Sequence, residues 1–471
     1  MTDQPRHAID DTEAIDDTGP TAGVPRPSVR PPGPWAFPHP SSDWTLDNGL
    51  RVLVYDVPGQ YVISASLVVP LPLSAEPREV EGVASLMSQL LDEGTARHDS
   101  EEFAALLERH GMALSAAVND GALMVDLDVP VRHLTTALAL VTEALAEPAF
   151  PEDEVRRLRT ARLAEIEQER ASAPHRAARE LMATLWAPYE RAARPTAGAP
   201  STVASVTPGH VRDFHAERVG PQGAGLVIAG ALADLDVRAA VEATVGEWRA
   251  PAHTPAVSSM APDLAVDAAR VVLVDRPGSV QSEIAMGWRG PDRHVSGGWA
   301  PYPVIGFLIG GSPTARIDAV LREEKGYTYG LRTGVRPRRA GGLVLTSGSV
   351  RADATVESLQ LLSDLLDPTN VTFTPEELRS GVDFIAGTAP GRYATADSIA
   401  AEAASLLMDR LPLDFTTSTR AATLALSAEE LTSAYAALAP QRWCLVVVGD
   451  AAEYADPVRA LGIGQVSVVA S

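Results

Sequence analysis

A chain of 471 residues with 45% hydrophobic and 21% charged residues has the make-up of a soluble globular protein, and it is too long for one ordinary core, so two or more domains are expected. Its formal charge of −22 excludes the basic face that a nucleic-acid partner requires. Cys444 is the only cysteine, which rules out an intrachain disulfide and makes a reducing, cytoplasmic location the expectation.

Residues 1–40 are acidic and then proline-rich, ending in VPRPSVRPPGPWAFPHP. Such a segment buries too little apolar surface to offset the entropy lost on ordering, so a disordered tail without an apolar signal core is expected. Folding is expected to start near Trp44. No later stretch approaches the roughly 18 uninterrupted apolar residues of a membrane span.

Residues 52–59, VLVYDVPG, read as an apolar strand closed by a Pro-Gly turn, and residues 62–69 as a second strand. A helix is expected over residues 82–95, then further strands and a charged amphipathic helix through residues 156–170. Thr207-Pro208 caps and opens another helix, and LVIAG, ending at Gly230, is a final apolar strand.

The series then recurs. VLVDRPG, ending at Gly278, repeats the first strand and turn at an offset of 219, and LVVVG, ending at Gly449, repeats the last strand at 219. Between them FPEDEV from Phe150 matches FTPEEL from Phe373 at 223, and VTPGHVRDF from Val206 matches LSAEELTSA from Leu426 at 220. Four segments in one order and at nearly one spacing indicate a duplicated domain. The expected class is α+β: two homologous domains, residues 41–249 and 269–471, each a mainly antiparallel sheet packed with helices. They are joined by a Pro/Ala/Ser-rich linker at residues 250–268.

Two segments carry chemistry. The first is residues 82–95, GVASLMSQLLDEGT, in which Ser85, Ser88 and Gln89 stand at i, i+3 and i+4 on one helix face. Hydroxyls and an amide at such positions are poor zinc ligands, and none of them replaces a carboxylate as general base. The second is residues 307–335, FLIGGSPTARIDAVLREEKGYTYGLRTGV, where Arg322 and Tyr329 bracket a helix end and Gly326 suits a left-handed cap. By themselves an arginine and a tyrosine at this spacing read as surface packing, though a guanidinium and a phenol are both donors able to meet developing oxyanion charge. The loop Gly310-Gly311-Ser312-Pro313 lacks the lysine of a phosphate cradle and reads as a turn between helices.

The first segment resembles the zinc helix of the pitrilysin/insulinase family of zinc peptidases, to which the mitochondrial processing peptidases belong, G-x-A-H-L-x-E-H-x-x-x-x-G-T. Gly82, Ala84, Leu86, Gly94 and Thr95 keep its frame, while Ser85, Ser88 and Gln89 occupy the two histidine positions and the glutamate position. Glu165 lies 76 residues after Gln89, where the family places its third ligand; a solvated carboxylate on a charged helix is the alternative. The second segment is similar to the family's G-G-x-x-S-R-L-x-x-x-L-R-E-x-x-G-x-x-Y, matched by Arg316, Leu321, Arg322, Glu323, Gly326 and Tyr329, with Ala315 in place of serine. The resemblance implies that Arg322 and Tyr329 bind the substrate backbone and stabilise the tetrahedral intermediate, and that the duplicated chain forms half of a clamshell chamber.

The ten histidines suggest no replacement metal site: His210 and His215 diverge around their helix, and His98, His110, His133 and His175 are scattered singly. The resulting expectation is a non-catalytic subunit that binds no metal. It supplies Arg322 and Tyr329 to a homologous partner with an intact H-x-x-E-H motif and its zinc, acting on a peptide, with no nucleic acid and no membrane span. The alternatives are a non-enzymatic scaffold of the same fold, as in the core proteins of the respiratory bc1 complex, and a peptide-binding homodimer.

Overall fold

The computed structural model describes residues 31–249, 260–438 and 442–470. Among them twelve strands form two six-stranded sheets. The first contains β1 (Ser42–Thr45), β2 (Arg51–Asp56), β3 (Val62–Pro70), β4 (Ala113–Val118), β5 (Ala122–Pro130) and β6 (Gly225–Gly230), in the order β1-β2-β6-β3-β5-β4. The second contains β7 (Arg270–Asp275), β8 (Gln281–Gly290), β9 (Arg332–Pro337), β10 (Gly342–Arg351), β11 (Cys444–Gly449) and β12 (Gln465–Ala470), in the order β12-β7-β11-β8-β10-β9. Pairing is antiparallel except for β2 with β6, β7 with β11 and β7 with β12.

The duplication is visible strand by strand. Arg51 and Arg270, Val62 and Gln281, Ala113 and Arg332, and Gly225 and Cys444 open corresponding strands 219 residues apart. The outermost position beside β2 is filled by β1 from the start of the chain, and that beside β7 by β12 from its end. The central strands β6, GLVIAG, and β11, CLVVVG, are buried at every residue, which explains their unbroken apolar runs. Cys444 lies in that core, and burial pushes its thiol up to about 12, so it is inert packing.

Each sheet is covered on one face by a helix from the other half. Helix Ala396–Asp409 lays Ala396, Ile399, Ala400, Ala403 and Ala404 against Leu53, Tyr55, Val227 and Ala229 of the first sheet. Helix Ala173–Leu185 lays Ala177, Leu181 and Leu185 against Val272, Val274, Ala285 and Val446 of the second. The approach is close: a Cβ on Gly225 would stand 2.7 Å from Leu407 Cδ1, and one on Gly287 3.0 Å from Leu181 Cδ2, so those leucine side chains would have to shift.

Two expectations about chain organisation are corrected. The tail was expected to be disordered through residue 40, but Phe37 is buried, its N–H donates to Thr417 Oγ1 at 2.9 Å, and Trp35 stacks on Tyr393. Arg420 anchors the same segment by donating to the Gly33 carbonyl at 2.7 Å. Residues 1–30 lie outside the described residues. The linker was expected to run to residue 268, yet Asp263 and Ala265 pair with Leu185 and Ala187 through two backbone hydrogen bonds of 2.9 Å, and Val266 is buried. Residues 250–259 also lie outside the described residues. Pro301–Glu324 is long and apolar enough by composition to cross a membrane, but its helix is interrupted at residues 312–315 and it is mostly buried against its own sheet, as a core helix is.

His110 and His133 are not isolated, because their rings meet edge to face at 4.9 Å. His215 is buried against Phe150, and its Nε2–H donates to the Leu145 carbonyl at 3.0 Å. Burial lowers its pKa from the ordinary 6.5 to about 4. Between those values the unfolded chain binds the proton and the folded chain does not, so stability falls as pH drops from 6.5 to about 4 and is level above. The total is about 3 kcal/mol. Denaturant titrations across that range should show the slope in the wild type and a flatter profile in His215→Gln; equal slopes would locate the proton uptake elsewhere.

Candidate functional site

The helix expected over residues 82–95 is shorter than its sequence frame: it spans Val83–Gln89, with Gly82 as N-cap at φ 101°. Gly94 and Thr95 lie beyond it in a turn, where the Thr95 N–H donates to the His98 carbonyl at 2.8 Å and Thr95 Oγ1 is bonded to Glu143.

What fixes this helix is a buried charge network absent from the sequence reading. Glu76 Oε1 accepts from the N–H groups of Gly82 and Ala84 at 2.9 and 3.0 Å, a carboxylate set against the positive end of the helix. Its Oε2 accepts from Arg191 Nε and Nη2 at 3.0 and 2.8 Å. Arg194 donates to Glu81 through Nε and Nη2, at distances down to 2.7 Å. The sequence signal was present as two glutamates before the helix and two arginines in a loop more than 100 residues later, but nothing in it paired them.

The face of the helix carries little chemistry. Ser88 is buried and donates to the Ser85 carbonyl at 2.9 Å, Ser85 is half-buried, and Gln89 is exposed. Glu165, on helix Glu152–Ala171, is exposed and accepts from Arg162 Nη1 at 3.1 Å; the same arginine holds Glu169 at 2.7 Å.

Arg322 and Tyr329 share one open cleft of about 850 Å³. Its walls include Gln281 and Glu283 of β8, Ser349 and Arg351 of β10, and Pro174 at the start of the helix lent by the first half. Arg322 lies on a π-helical stretch, Ala319–Glu324, closed by Gly326 at φ 65°, whose N–H donates to the Arg322 carbonyl at 3.1 Å. The Arg322 side chain is 39% exposed and lies 3.5 Å from Glu323, and Tyr329 is 92% exposed, so both donors are available. Tyr327 and Lys325 are engaged instead with Glu357, at 2.6 and 2.9 Å. No residue of Val83–Gln89 lines the cleft, so this chain does not bring its two motifs together there.

The profile of the insulinase peptidases, family M16, matches residues 51–198, and the profile described as the peptidase M16 inactive domain matches residues 205–383. The chain belongs to the insulinase family. Its fold is similar to a peptidase M16 inactive domain from Pseudomonas fluorescens, with TM-score 0.79 and 22% identity over 87% of this chain and 97% of that one. A protease from Helicobacter pylori gives TM-score 0.79 and 16% identity over 88% and 100%. Among curated relatives, the uncharacterised zinc protease YmxG of Bacillus subtilis is 20% identical over 72% of this chain and 79% of its own. Human mitochondrial-processing peptidase subunit alpha is 29% identical over 124 residues, 26% of this chain and 23% of the human one. The match therefore spans less than a quarter of the human protein.

Zinc is the metal this insulinase-family frame implies, and the residues here do not fit it. Ser88 is committed to a backbone carbonyl, Glu165 to Arg162, and Gln89 offers only an amide. Among the described residues no three His, Cys, Asp or Glu side chains converge.

Proposed function

We propose that this insulinase-family chain is the non-catalytic subunit of a heteromeric zinc metallopeptidase that processes or degrades peptides. In this reading it supplies half of the chamber, binds the peptide and presents Arg322 and Tyr329 to the scissile carbonyl, while a homologous partner with an intact H-x-x-E-H motif holds the zinc and activates water. One asymmetry carries the proposal: both donors are exposed in an open cleft, Arg322 beside Glu323 at 3.5 Å, while the positions of the zinc helix hold no ligand set. The human relative's name, subunit alpha of a processing peptidase, agrees with a divided enzyme.

The chemistry assigned to this chain is positional. Arginine stays charged at any working pH, and a phenol donates without a countercharge, so both can strengthen their hydrogen bonds as a carbonyl oxygen becomes an oxyanion. The chain should be purified alone and with an H-x-x-E-H partner, and zinc content and peptide cleavage measured in both. Cleavage is expected only in the mixture, with zinc in the partner; zinc-dependent cleavage by the isolated chain would overturn the proposal.

A further inference from the structure

A second cavity, of about 270 Å³, lies at the seam where the helix lent by the second half meets the end of the first sheet. It opens between the ends of β2, β3 and β6 and the last turn of helix Ala396–Asp409, with the β9–β10 hairpin alongside. Val68 and Ala122 in its wall belong to the sheet face that this helix covers, whereas helix Val83–Gln89 packs on the opposite face. Three arginines reach it: Arg51 from β2, Arg339 from the hairpin and Arg410 from the residue after the helix. Among the described residues no carboxylate lines it, in a chain whose net charge is −22.

These charges are poorly compensated. Arg51 gives Nε and Nη2 to Asp43 at 3.0 and 2.7 Å and keeps Nη1. Arg339 donates only to the Met408 carbonyl, at 3.1 Å, and the Arg410 side chain makes no hydrogen bond or ion pair among the described residues. Asp409, next to Arg410, is held by Arg293, which donates to its Oδ2 at 2.9 and 2.6 Å. Burial, and then the like charge of Arg410, pushes the Arg339 pKa down, with Asp409 opposing.

The helix does not need Arg410 at its end. The Leu406 and Leu407 carbonyls accept from the N–H groups of Leu411 and Arg410 at 2.9 and 3.1 Å, and the Met408 and Asp409 carbonyls from Arg339 and from His294 Nε2 at 3.1 and 2.8 Å. The backbone there suits glycine: Arg410 stands at φ 56°, a left-handed cap that any side chain makes costlier. A guanidinium kept at a glycine position, beside a second one without a countercharge, points to an anion that both would hold.

We propose that Arg339 and Arg410, with Arg51 at the rim, form a site for a phosphate-type oxyanion, free or carried as an ester on a small molecule. Guanidinium forks match such oxygens two at a time. The bound anion would tie the hairpin and the lent helix of the second half to the end of the first sheet, so it acts on the seam between the halves. The inference is independent of the reading of Arg322 and Tyr329.

Inorganic phosphate and glycerol 3-phosphate should each be titrated calorimetrically into the full-length chain at constant ionic strength, with melting temperatures measured in parallel. The wild type is expected to give a saturable heat and a melting temperature that rises with occupancy. Arg410→Gly relieves the backbone and should fold at least as well as the wild type without phosphate, yet bind it about tenfold more weakly or worse. Arg339→Gln should lose affinity similarly, and Arg322→Ala should bind as the wild type does. Tighter binding of the ester would identify an esterified ligand and tighter binding of phosphate the free ion, and both support the site. No saturable heat in the wild type, or equal affinity in Arg410→Gly, would overturn it. A rise in melting temperature shared by the wild type and Arg410→Gly would also count against it, because excluded phosphate stabilises any folded chain.

Discussion

Arg322→Ala, assayed in complex with a zinc-bearing partner, is expected to lower kcat/KM about 10²–10³-fold while leaving the partner's zinc content unchanged. The expectation follows from what the side chain would do in the transition state. The guanidinium is only loosely associated with Glu323 at 3.5 Å, so it is free to meet an oxyanion at the cleft mouth. Alanine removes that donor without disturbing the fold around it, because Gly326 closes the turn through the Arg322 backbone. Tyr329→Phe should produce a loss of the same kind, since it removes one hydroxyl from a side chain that is 92% exposed and supports no core. Turnover unaffected by both substitutions in a stable complex would favour the scaffold reading instead.

Glu76→Ala is expected to cost about 3–5 kcal/mol in the stability of the first half, measured by urea denaturation. The carboxylate is fully buried and serves four donors, two on Arg191 and two at the amino end of helix Val83–Gln89. Its removal leaves a guanidinium with 9% of its side chain exposed, and its remaining buried carboxylate, Glu81, stands 3.9 Å away and is already held by Arg194. Arg191→Met should be damaging for the mirrored reason. The double replacement by apolar residues should cost clearly less than the sum of the two, because it eliminates the uncompensated charge. A single-mutant cost below about 1 kcal/mol would mean that the network behaves as a solvated surface pair.

The periodic repeat was legible because duplicated strands keep their apolar runs in register. Offsets near 219 in VLVYDVPG and LVIAG became corresponding strands of two sheets with the same internal order. The exchange of helices Ala173–Leu185 and Ala396–Asp409 was not legible, since an amphipathic pattern records that a face is buried and not which sheet buries it. The length of the helix at residue 82 was misjudged for a related reason. A family frame extends through Thr95, but the hydrogen-bonded helix stops at Gln89, residues 90–92 turn, and Thr95 forms a β-bridge with Pro148. Ser85, Ser88 and Gln89, like Arg322 and Tyr329, stood out only against the family's motifs, since an arginine and a tyrosine at that spacing read by themselves as surface packing.

The exchanged helices also dictate when the molecule can close during synthesis. β6 completes the first sheet at Gly230, but the helix that covers its second face does not begin until Ala396, 166 residues later. At roughly 5–20 residues per second, a ribosome takes roughly ten to thirty seconds to deliver it. Throughout that interval Leu53, Tyr55, Val227 and Ala229 form an uncovered apolar surface on the nascent chain. A truncation before residue 396 is therefore expected to expose that face and to aggregate, which light scattering of the purified fragment would check.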